Sequence, residues 1–171
     1  AADEFQAFRL PVTGLVERPM ELTLDQLRAL APLTQVTRHV CIQGWTQVVV
    51  WGGLPLSALL EQVRPLPEAR YLLFRTFDDK WEVGGQHPYF YGTIDLGLAA
   101  HPQSILAYDM NGRSLPAAFG APLRLRLENQ LGYKMVKWVR SVELIADYRT
   151  VGEGKGGWRE DVLNYSQIAP I

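Results

Sequence analysis

The sequence has few of the residues, and none of the long apolar runs, that mark several common classes of protein. Its 171 residues include one cysteine and three histidines, which excludes an intramolecular disulfide framework and a cysteine-based zinc cluster. The 17 Lys and Arg against 18 Asp and Glu leave a net charge of -1, which argues against a general nucleic-acid binder. No run approaches the ~18 apolar residues that a membrane-spanning helix needs, so we expect no direct membrane span.

The common hydrolase motifs and the Walker motif are also missing, since neither H-E-x-x-H nor G-x-S-x-G occurs. The glycine-rich stretch at residues 152–157 has the spacing G-x-G-x-x-G, but it is a weak signal and such stretches are more often turns. What remains is a chain of 19.3 kDa with 47% hydrophobic residues, enough for the core of one domain. Its function therefore has to be sought in a few individual residues.

Glycine and proline punctuate the chain often, with 15 Gly and 11 Pro, which disfavours long helices. Short runs of alternating apolar and polar residues recur, as in half-buried strands. Thr23 followed by Gln26 has the form of a capping box, and Asp95 predicts the cap of another short helix. Asn111-Gly112 predicts a tight hairpin. The sequence therefore predicts an α+β fold of mixed β-sheets with a few short helices.

The composition changes near the end of the chain, where several glycines precede Trp158. We therefore expect residues 1–148 to form one domain and residues 149–171 to form an irregular C-terminal tail packed on it. Within the domain, residues 135–145 predict two short strands. No internal repeat is visible, and no linker divides the chain in two.

Cys41 is the first candidate for chemistry. A lone cysteine is usually a small buried hydrophobe. Cys41, however, ends a predicted strand just before Gly44, and such loops are where proteins present reactive groups. Its thiolate has two functional interpretations there, a nucleophile or a ligand of a soft metal. His39 lies two residues earlier on roughly the same face, and a hydrogen-bonded strand histidine is the simpler interpretation of it.

A second candidate is a local excess of positive charge around a glycine turn. The alternation L-R-L-R-L at residues 123–127 predicts a strand with one apolar and one cationic face. A solvated strand face is one explanation of the charge. The other is an anion site, in which cations and free N–H groups of the turn hold a phosphate. The cations concerned are Arg124, Arg126, Lys134, Lys137 and Arg140.

Five stretches carry a recognisable order of motifs. They are C-I-Q-G-W-T at residues 41–46, V-V-V-W-G-G-L-P-L at 48–56, L-A-Y-D-M-N-G at 106–112, G-A-P-L-R at 120–124 and G-Y-K-M-V-K-W at 132–138. They are similar in order and spacing to C-x-E-G-W-S, V-V-P-W-x-G-x-P-L, L-A-Y-E-M-N-G, G-A-P-x-R and G-x-K-x-x-K-W. These are motifs of the sulfite oxidase family, so most of the chain resembles that family's molybdopterin-binding domain.

The resemblance implies a sulfite-oxidase-type fold around one molybdenum–molybdopterin cofactor. The pterin dithiolene then supplies two sulfurs to the metal, and the protein supplies one thiolate, which by position is Cys41. Soft thiolate ligation suits such a metal. The arginine of G-A-P-x-R, which helps hold the pterin or its phosphate, is Arg124. The other positions that match cofactor contacts of the family are Thr76, Phe119, Lys134, Met135, Val136 and Lys137.

The sequence departs from the family pattern at several of these places. Gln43 replaces the usual Glu, Val50 replaces the usual Pro, and Phe119 stands where the family has a His or Asn that contacts the cofactor. The sulfite-oxidising branch follows its cysteine with an Asn-Arg-Arg run that helps bind the substrate anion. Here Gln43-Gly44-Trp45 follows instead, so the chain looks more like the bacterial reductase branch, which acts on sulfoxides.

By resemblance, the expected function is a two-electron oxygen-atom transfer on a small oxo substrate, sulfoxide-like or sulfite-like. Electrons would be exchanged with a separate redox partner, for which a haem protein is the natural candidate. The alternative is a non-catalytic module that binds or carries the cofactor. A cysteine-nucleophile hydrolase is a weaker reading, since no Cys-His-Asn set is visible.

The start of the chain bears on its location. Ala1 is not preceded by a Met, which fits the mature end left by signal-peptide removal as well as an artificially chosen start. If it is a mature end, the resemblance implies export to the periplasm.

Overall fold

The computed structural model describes residues 5–77 and 90–171. These residues form ten β-strands, which lie in two five-stranded sheets, and four short α-helices. The predicted α+β class is confirmed. Within the described ranges, none of the helices has the length and apolar character needed to cross a membrane.

The elements are short, as the frequent glycines and prolines predict. In chain order the strands are β1 (Arg9–Gly14), β2 (Met20–Thr23), β3 (Leu33–Val40), β4 (Thr46–Pro55), β5 (Tyr71–Thr76), β6 (Tyr91–Asp95), β7 (Ile105–Met110), β8 (Arg113–Ser114), β9 (Arg124–Arg126) and β10 (Val139–Ile145). The α-helices are α1 (Leu24–Leu30), α2 (Leu56–Val63), α3 (Leu96–Ala99) and α4 (Trp158–Leu163). Single 3-10 turns lie at Ala117–Phe119, Gly132–Lys134 and Tyr148–Thr150.

The strands divide between two sheets. The first has the order β2-β1-β10-β5-β6, in which β1 runs parallel to β10 and the other neighbours are antiparallel. The second has the order β3-β4-β7-β8, and β9 pairs with the earlier part of β7. All pairs of the second sheet are antiparallel.

Local sequence signals place several of these elements. The predicted capping box at α1 is present, with Thr23 and Gln26 bonded to each other's backbone N–H groups. The Asp95 side chain caps α3 as predicted. Asn111 and Gly112, with φ of +53° and +72°, form the two-residue loop that joins β7 to β8.

The second sheet separates the main core from a smaller apolar layer. Leu106 and Leu125 point into the large core shared with the first sheet. Their chain neighbours alternate to the opposite face, where Ile105 and Ala107 pack around Trp51. We call this opposite face the outer face of the second sheet; it carries the candidate site.

Two predictions about the end of the chain need correction. Residues 135–145 contain one strand, β10 (Val139–Ile145), and not two, because the backbone of Trp138 has φ +54° and interrupts the extended segment before it. The tail at residues 149–171, predicted to be irregular, contains α4. Trp158, Glu160 and Asp161 of this helix are buried, and the Thr93 N–H donates to the Gly156 carbonyl at 2.9 Å, so the tail packs on β6.

Candidate functional site

Cys41 lies in the turn between β3 and β4. Its N–H donates to the Trp45 carbonyl at 3.0 Å, and the Gly44 N–H donates to the Cys41 carbonyl at 3.0 Å. Gly44 has φ +88°, which strains any other residue, so the turn needs glycine for its backbone conformation. Cys41 is a free, partly exposed cysteine. The thiol is therefore presented at the end of a β-hairpin.

His39, two residues before Cys41, is held between three neighbours. Its Nδ1 lies 2.9 Å from Nη1 of Arg126, and its ring centroid lies 5.3 Å from that of Trp45. On another side lies Gly132, where a Cβ would overlap the imidazole. Burial, followed by the positive charges of Arg126 and a second arginine, lowers the pKa of His39 to about 4. The interpretation of His39 as a hydrogen-bonded strand histidine is confirmed.

Two arginine side chains stack on the indole of Trp51. Their Cζ atoms lie 4.4 Å (Arg126) and 4.9 Å (Arg124) from its ring centroid. Arg126 donates two hydrogen bonds to the Glu128 carboxylate, at 2.9 and 2.8 Å, which neutralise its charge. The explanation of these two cations as a solvated strand face is wrong. Both are buried, because their side of β9 packs on an indole from β4.

Arg124 has a poorer set of partners than its neighbour. Its Nη1 donates to the Phe119 carbonyl at 3.0 Å, whereas its Nε has no partner among the described residues. Burial, followed by repulsion from Arg126, lowers the pKa of Arg124 to about 9. On the same outer face, the Trp51 Nε1 and Thr37 Oγ1 atoms also lack partners there. Buried donors without acceptors are costly, so this face fits an anionic ligand that accepts hydrogen bonds.

The segment at residues 135–137 lies along the other edge of β9. The Leu125 N–H donates to the Val136 carbonyl at 2.7 Å, and Lys137 Nζ donates to the Ala118 carbonyl at 3.1 Å. The side chains of Met135 and Val136 are buried in the main core. A ligand on the outer face would therefore meet this segment through its backbone and through Lys137.

Thr76 and Phe119 lie close to this segment. Thr76 is buried and opposes Val139 in the first sheet, and its hydroxyl donates to the Phe90 carbonyl at 2.8 Å. The Phe119 side chain ends a 3-10 turn and is 45% exposed, while its carbonyl binds Arg124.

Backbone hydrogen bonds join these predicted residues into one region. The Phe77 N–H donates to the Trp138 carbonyl at 3.0 Å, and the Trp138 N–H donates to the Gly120 carbonyl at 3.1 Å. These bonds connect the end of β5, the segment at 135–137 and the loop before β9. Cys41 is connected to the same region less directly, through the histidine–arginine contact and the stack on the indole.

Lys134 differs from the other predicted contacts. Its ammonium forms an ion pair with Glu160 of α4, and both side chains are buried. The sequence placed Lys134 among the cations of the candidate anion site, yet a carboxylate from the tail already neutralises its charge. No local signal could identify this partner, which lies 26 residues further along the chain.

Sequence reasoning also missed other members of the site. Trp51 and Glu128 are not among the predicted site residues, and Arg126 is predicted only as one cation of an anion site, not as the partner of Glu128. The only usable signal was the alternation at residues 123–127, which places both arginines on one face. It does not show that a strand distant in sequence covers that face.

The chemistry available at the site is that of one thiolate beside a cationic, donor-rich face. Within residues 5–77 and 90–171, no group of three or more His, Cys, Asp or Glu could hold a metal ion. Cys41 offers the sulfur ligand that soft metals favour. The unpartnered donors of Arg124 and Trp51 suit an anionic cofactor with several acceptors. The residues present therefore fit a molybdopterin that binds its metal beside Cys41.

Comparison with known proteins agrees with this chemistry. Residues 1–151 match the family described as the oxidoreductase molybdopterin binding domain. A protein of Azospira oryzae, named as a candidate protein-methionine-sulfoxide reductase subunit YedZ1, is 37% identical over 155 residues, 91% of this chain and 53% of that protein. The protein-methionine-sulfoxide reductase catalytic subunit MsrP of Pseudomonas syringae pv. tomato is 32% identical over 173 residues, 94% of this chain and 50% of that protein.

A solved structure shows the same fold. The sulfane dehydrogenase SoxCD from Paracoccus pantotrophus superimposes with a TM-score of 0.73 at 23% identity, over 91% of this chain and 45% of that one. The chain thus spans about half the length of the proteins that it matches. The family match covers nearly the whole chain and agrees with the motifs and the site. The chain therefore belongs to the oxidoreductase molybdopterin-binding domain family, the sulfite oxidase family that its motifs resemble.

Proposed function

We propose that this protein is a molybdenum–molybdopterin-dependent oxidoreductase that transfers an oxygen atom in a two-electron reaction on a small oxo substrate. The observation that carries the proposal is the placement of Cys41. It is the chain's one thiol, and it is partly exposed in a turn beside the face that holds the unpartnered donors of Arg124 and Trp51. The molybdopterin follows from the family; the molybdenum, the substrate and the electron partner belong to the proposal.

The protein's own residues have distinct tasks in this scheme. When bound, the cofactor supplies the metal centre at which the oxygen atom is exchanged. The Cys41 thiolate ligates the metal, while Arg124 and Trp51 donate hydrogen bonds to the cofactor. Lys134 is the least supported of the other contacts, because its ammonium is bound to Glu160. The further contacts proposed from the family are Thr76, Phe119, Lys134, Met135, Val136 and Lys137.

A sulfoxide is the substrate that the site favours over sulfite. Ile42 and Trp45 follow Cys41 in the same turn, are 42% and 48% exposed, and place apolar surface close to the thiol in the chain. Such a surface suits the methyl and methylene groups beside a sulfoxide better than it suits an anion. The two relatives named above are called methionine-sulfoxide reductase subunits. We propose reduction of the sulfoxide to a thioether, which consumes two electrons and two protons and releases water.

The electrons for this reaction would come from a separate redox partner, and a haem protein is the candidate that we propose. The one cysteine of this chain is assigned to the molybdenum and is not available for an iron–sulfur cluster. We also propose a periplasmic location, on the resemblance to the bacterial reductase branch.

The test is turnover by the chain purified from a host that makes molybdopterin. With reduced viologen as electron donor, methionine sulfoxide should be reduced, and Cys41→Ser should reduce it only at the background rate. Sulfite with ferricyanide as acceptor is the comparison substrate and should react more slowly. Full activity in Cys41→Ser would overturn the ligand role of Cys41. A preference for sulfite would overturn the substrate assignment.

The second candidate function is a non-catalytic module that binds or carries the cofactor. Phe119 favours it, because an exposed aromatic side chain stands where the family has a polar cofactor contact. A chain that retains pterin and metal but turns over neither methionine sulfoxide nor sulfite would establish this alternative.

A further inference from the structure

The turn that presents Cys41 has few contacts of its own. Two backbone hydrogen bonds close it, and Ile42 and Trp45 are 42% and 48% exposed. Loops with so little packing reorient rapidly. A thiolate that ligates a metal in one fixed direction therefore needs support from outside the turn.

His39 is placed to give that support. It precedes Cys41 by two residues, and its ring packs against Trp45 at an interplanar angle of 47°. Trp45 is also the residue whose carbonyl accepts the Cys41 N–H. His39 thus contacts the chain on both sides of the cysteine. Gly132 closes its other side, since a Cβ there would overlap the imidazole.

The hydrogen-bond partner of His39 is Arg126, which is itself held in place. Its guanidinium is 0% exposed, bound to Glu128 by two hydrogen bonds and stacked on Trp51. Glu128 also accepts a hydrogen bond from Gln35 Nε2 at 3.2 Å. Because a guanidinium can only donate, His39 Nδ1 must accept the bond at 2.9 Å, and the neutral imidazole carries its proton on Nε2.

We propose that His39 is a positioning residue for Cys41, held in place by the hydrogen bond that its Nδ1 accepts from Arg126. The proposal rests on the proposed function, in which the Cys41 thiolate ligates the metal. His39 touches neither metal nor substrate in this scheme. It fixes the Cys41 turn, so that the sulfur meets the cofactor in one orientation.

The experiment uses the single cysteine of the chain. A nitroxide label on Cys41 reports on this turn alone, in protein purified from a host that makes no molybdopterin. His39→Phe keeps a ring against Trp45 but removes the acceptor, whereas the amide oxygen of His39→Asn replaces Nδ1. His101→Phe is the matched control, because His101 is a partly exposed histidine whose Nδ1 accepts only a local backbone bond.

The paramagnetic resonance spectrum of the labelled parent should show an immobilised component. His39→Phe should lose it, while His39→Asn and His101→Phe should keep it. In cofactor-loaded protein, His39→Phe should lower the retained molybdenum by about 10–100-fold, the usual effect of removing a group that orients a metal ligand, and His39→Asn should restore it.

Two results would overturn the proposal. One is an unchanged label spectrum in His39→Phe, which would assign any effect of His39 to ring packing. The other is equal loss of the immobilised component in His39→Phe and His39→Asn, which would show that an acceptor at this position does not hold the turn. Should His39→Phe fail to fold, Gly132→Ala decides the matter, because its Cβ must push His39 away and mobilise the label in the same way. The label result is independent of the cofactor, so an absence of molybdenum in the parent would contradict the proposed function alone.

Discussion

Among the described residues, buried charge occurs in two regions, and the regions differ in how completely this charge is paired. Where the tail meets the domain, Lys134 pairs with Glu160. Beside it, the Asp161 carboxylate accepts hydrogen bonds from the Tyr91 hydroxyl and from two backbone N–H groups, both at 3.1 Å. Of the buried side-chain polar atoms of this described region, only Arg159 Nε, in the same helix, lacks a hydrogen-bond partner.

The outer face of the second sheet is paired only in part. Arg126 has its carboxylate, but Arg124, Trp51 and Thr37 each keep a buried polar atom without a partner among the described residues. A buried ion pair leaves no uncompensated charge, whereas buried donors without acceptors reduce stability unless a ligand supplies the acceptors. This difference supports our proposal that the outer face is a binding surface, whereas the charges of the tail network are already paired within the protein.

The largest effect on stability is expected where the tail meets the domain and Lys134 pairs with Glu160. Lys134→Met should lower the free energy of unfolding by about 3–5 kcal/mol, because it leaves the Glu160 carboxylate buried and unpaired. Adding Glu160→Leu should restore much of that loss, since no buried charge then remains. Urea denaturation of the cofactor-free chain measures both variants. A loss below about 1 kcal/mol in the single variant is typical of an exposed ion pair, and it would contradict the burial of Lys134 and Glu160.

The next prediction separates the two arginines on Trp51. Arg126→Met should destabilise the cofactor-free chain strongly, because Glu128 loses its partner. Arg124→Met should leave the stability of that chain nearly unchanged, since no carboxylate depends on it. The same variant should lower the retained pterin about tenfold or more, the effect of losing a charge-assisted hydrogen bond.

Denaturation curves and pterin fluorescence after oxidative release give the two quantities. Equal destabilisation by the two substitutions would remove the distinction between a structural and a binding arginine. Unchanged pterin in Arg124→Met would show that the unpartnered donors do not face the cofactor.

The smallest effect is expected at Phe119. Because the side chain is exposed, Phe119→Asn should change stability by no more than about 0.5 kcal/mol. If the amide contacts the cofactor, pterin retention should rise several-fold, as one added hydrogen bond of about 0.5–1.5 kcal/mol predicts. Phe77→Asn is the control, since Phe77 is 50% exposed and was not assigned to the cofactor. An equal gain in both variants would exclude a specific contact.

The sequence predicted the structural features that depend on residues close together in the chain. The capping box at Thr23, the Asn111-Gly112 hairpin and the turn after the strand that ends before Cys41 depend on local backbone preferences. The motif order supplied the family. Alternation at residues 123–127 also placed Arg124 and Arg126 on one face.

What the sequence could not predict depends on contacts between distant segments. The burial of the two arginines requires Trp51, which comes from another strand of the sheet. From the sequence alone, Lys134 resembles an exposed cation, because its partner Glu160 comes from the distant tail. The helix of the tail was missed because Gly157, at its N-cap, offers no side-chain cap hydrogen bond and so leaves no capping signal in the sequence.

The central claim is that the outer face and Cys41 together hold one molybdenum–pterin group. Its most direct test is the molybdenum and pterin content of the parent chain, purified from a host that makes molybdopterin and compared with Arg124→Met. The account predicts close to one metal and one pterin per parent chain, and much less of both in the variant. A parent chain that is folded by circular dichroism but contains neither metal nor pterin would contradict it.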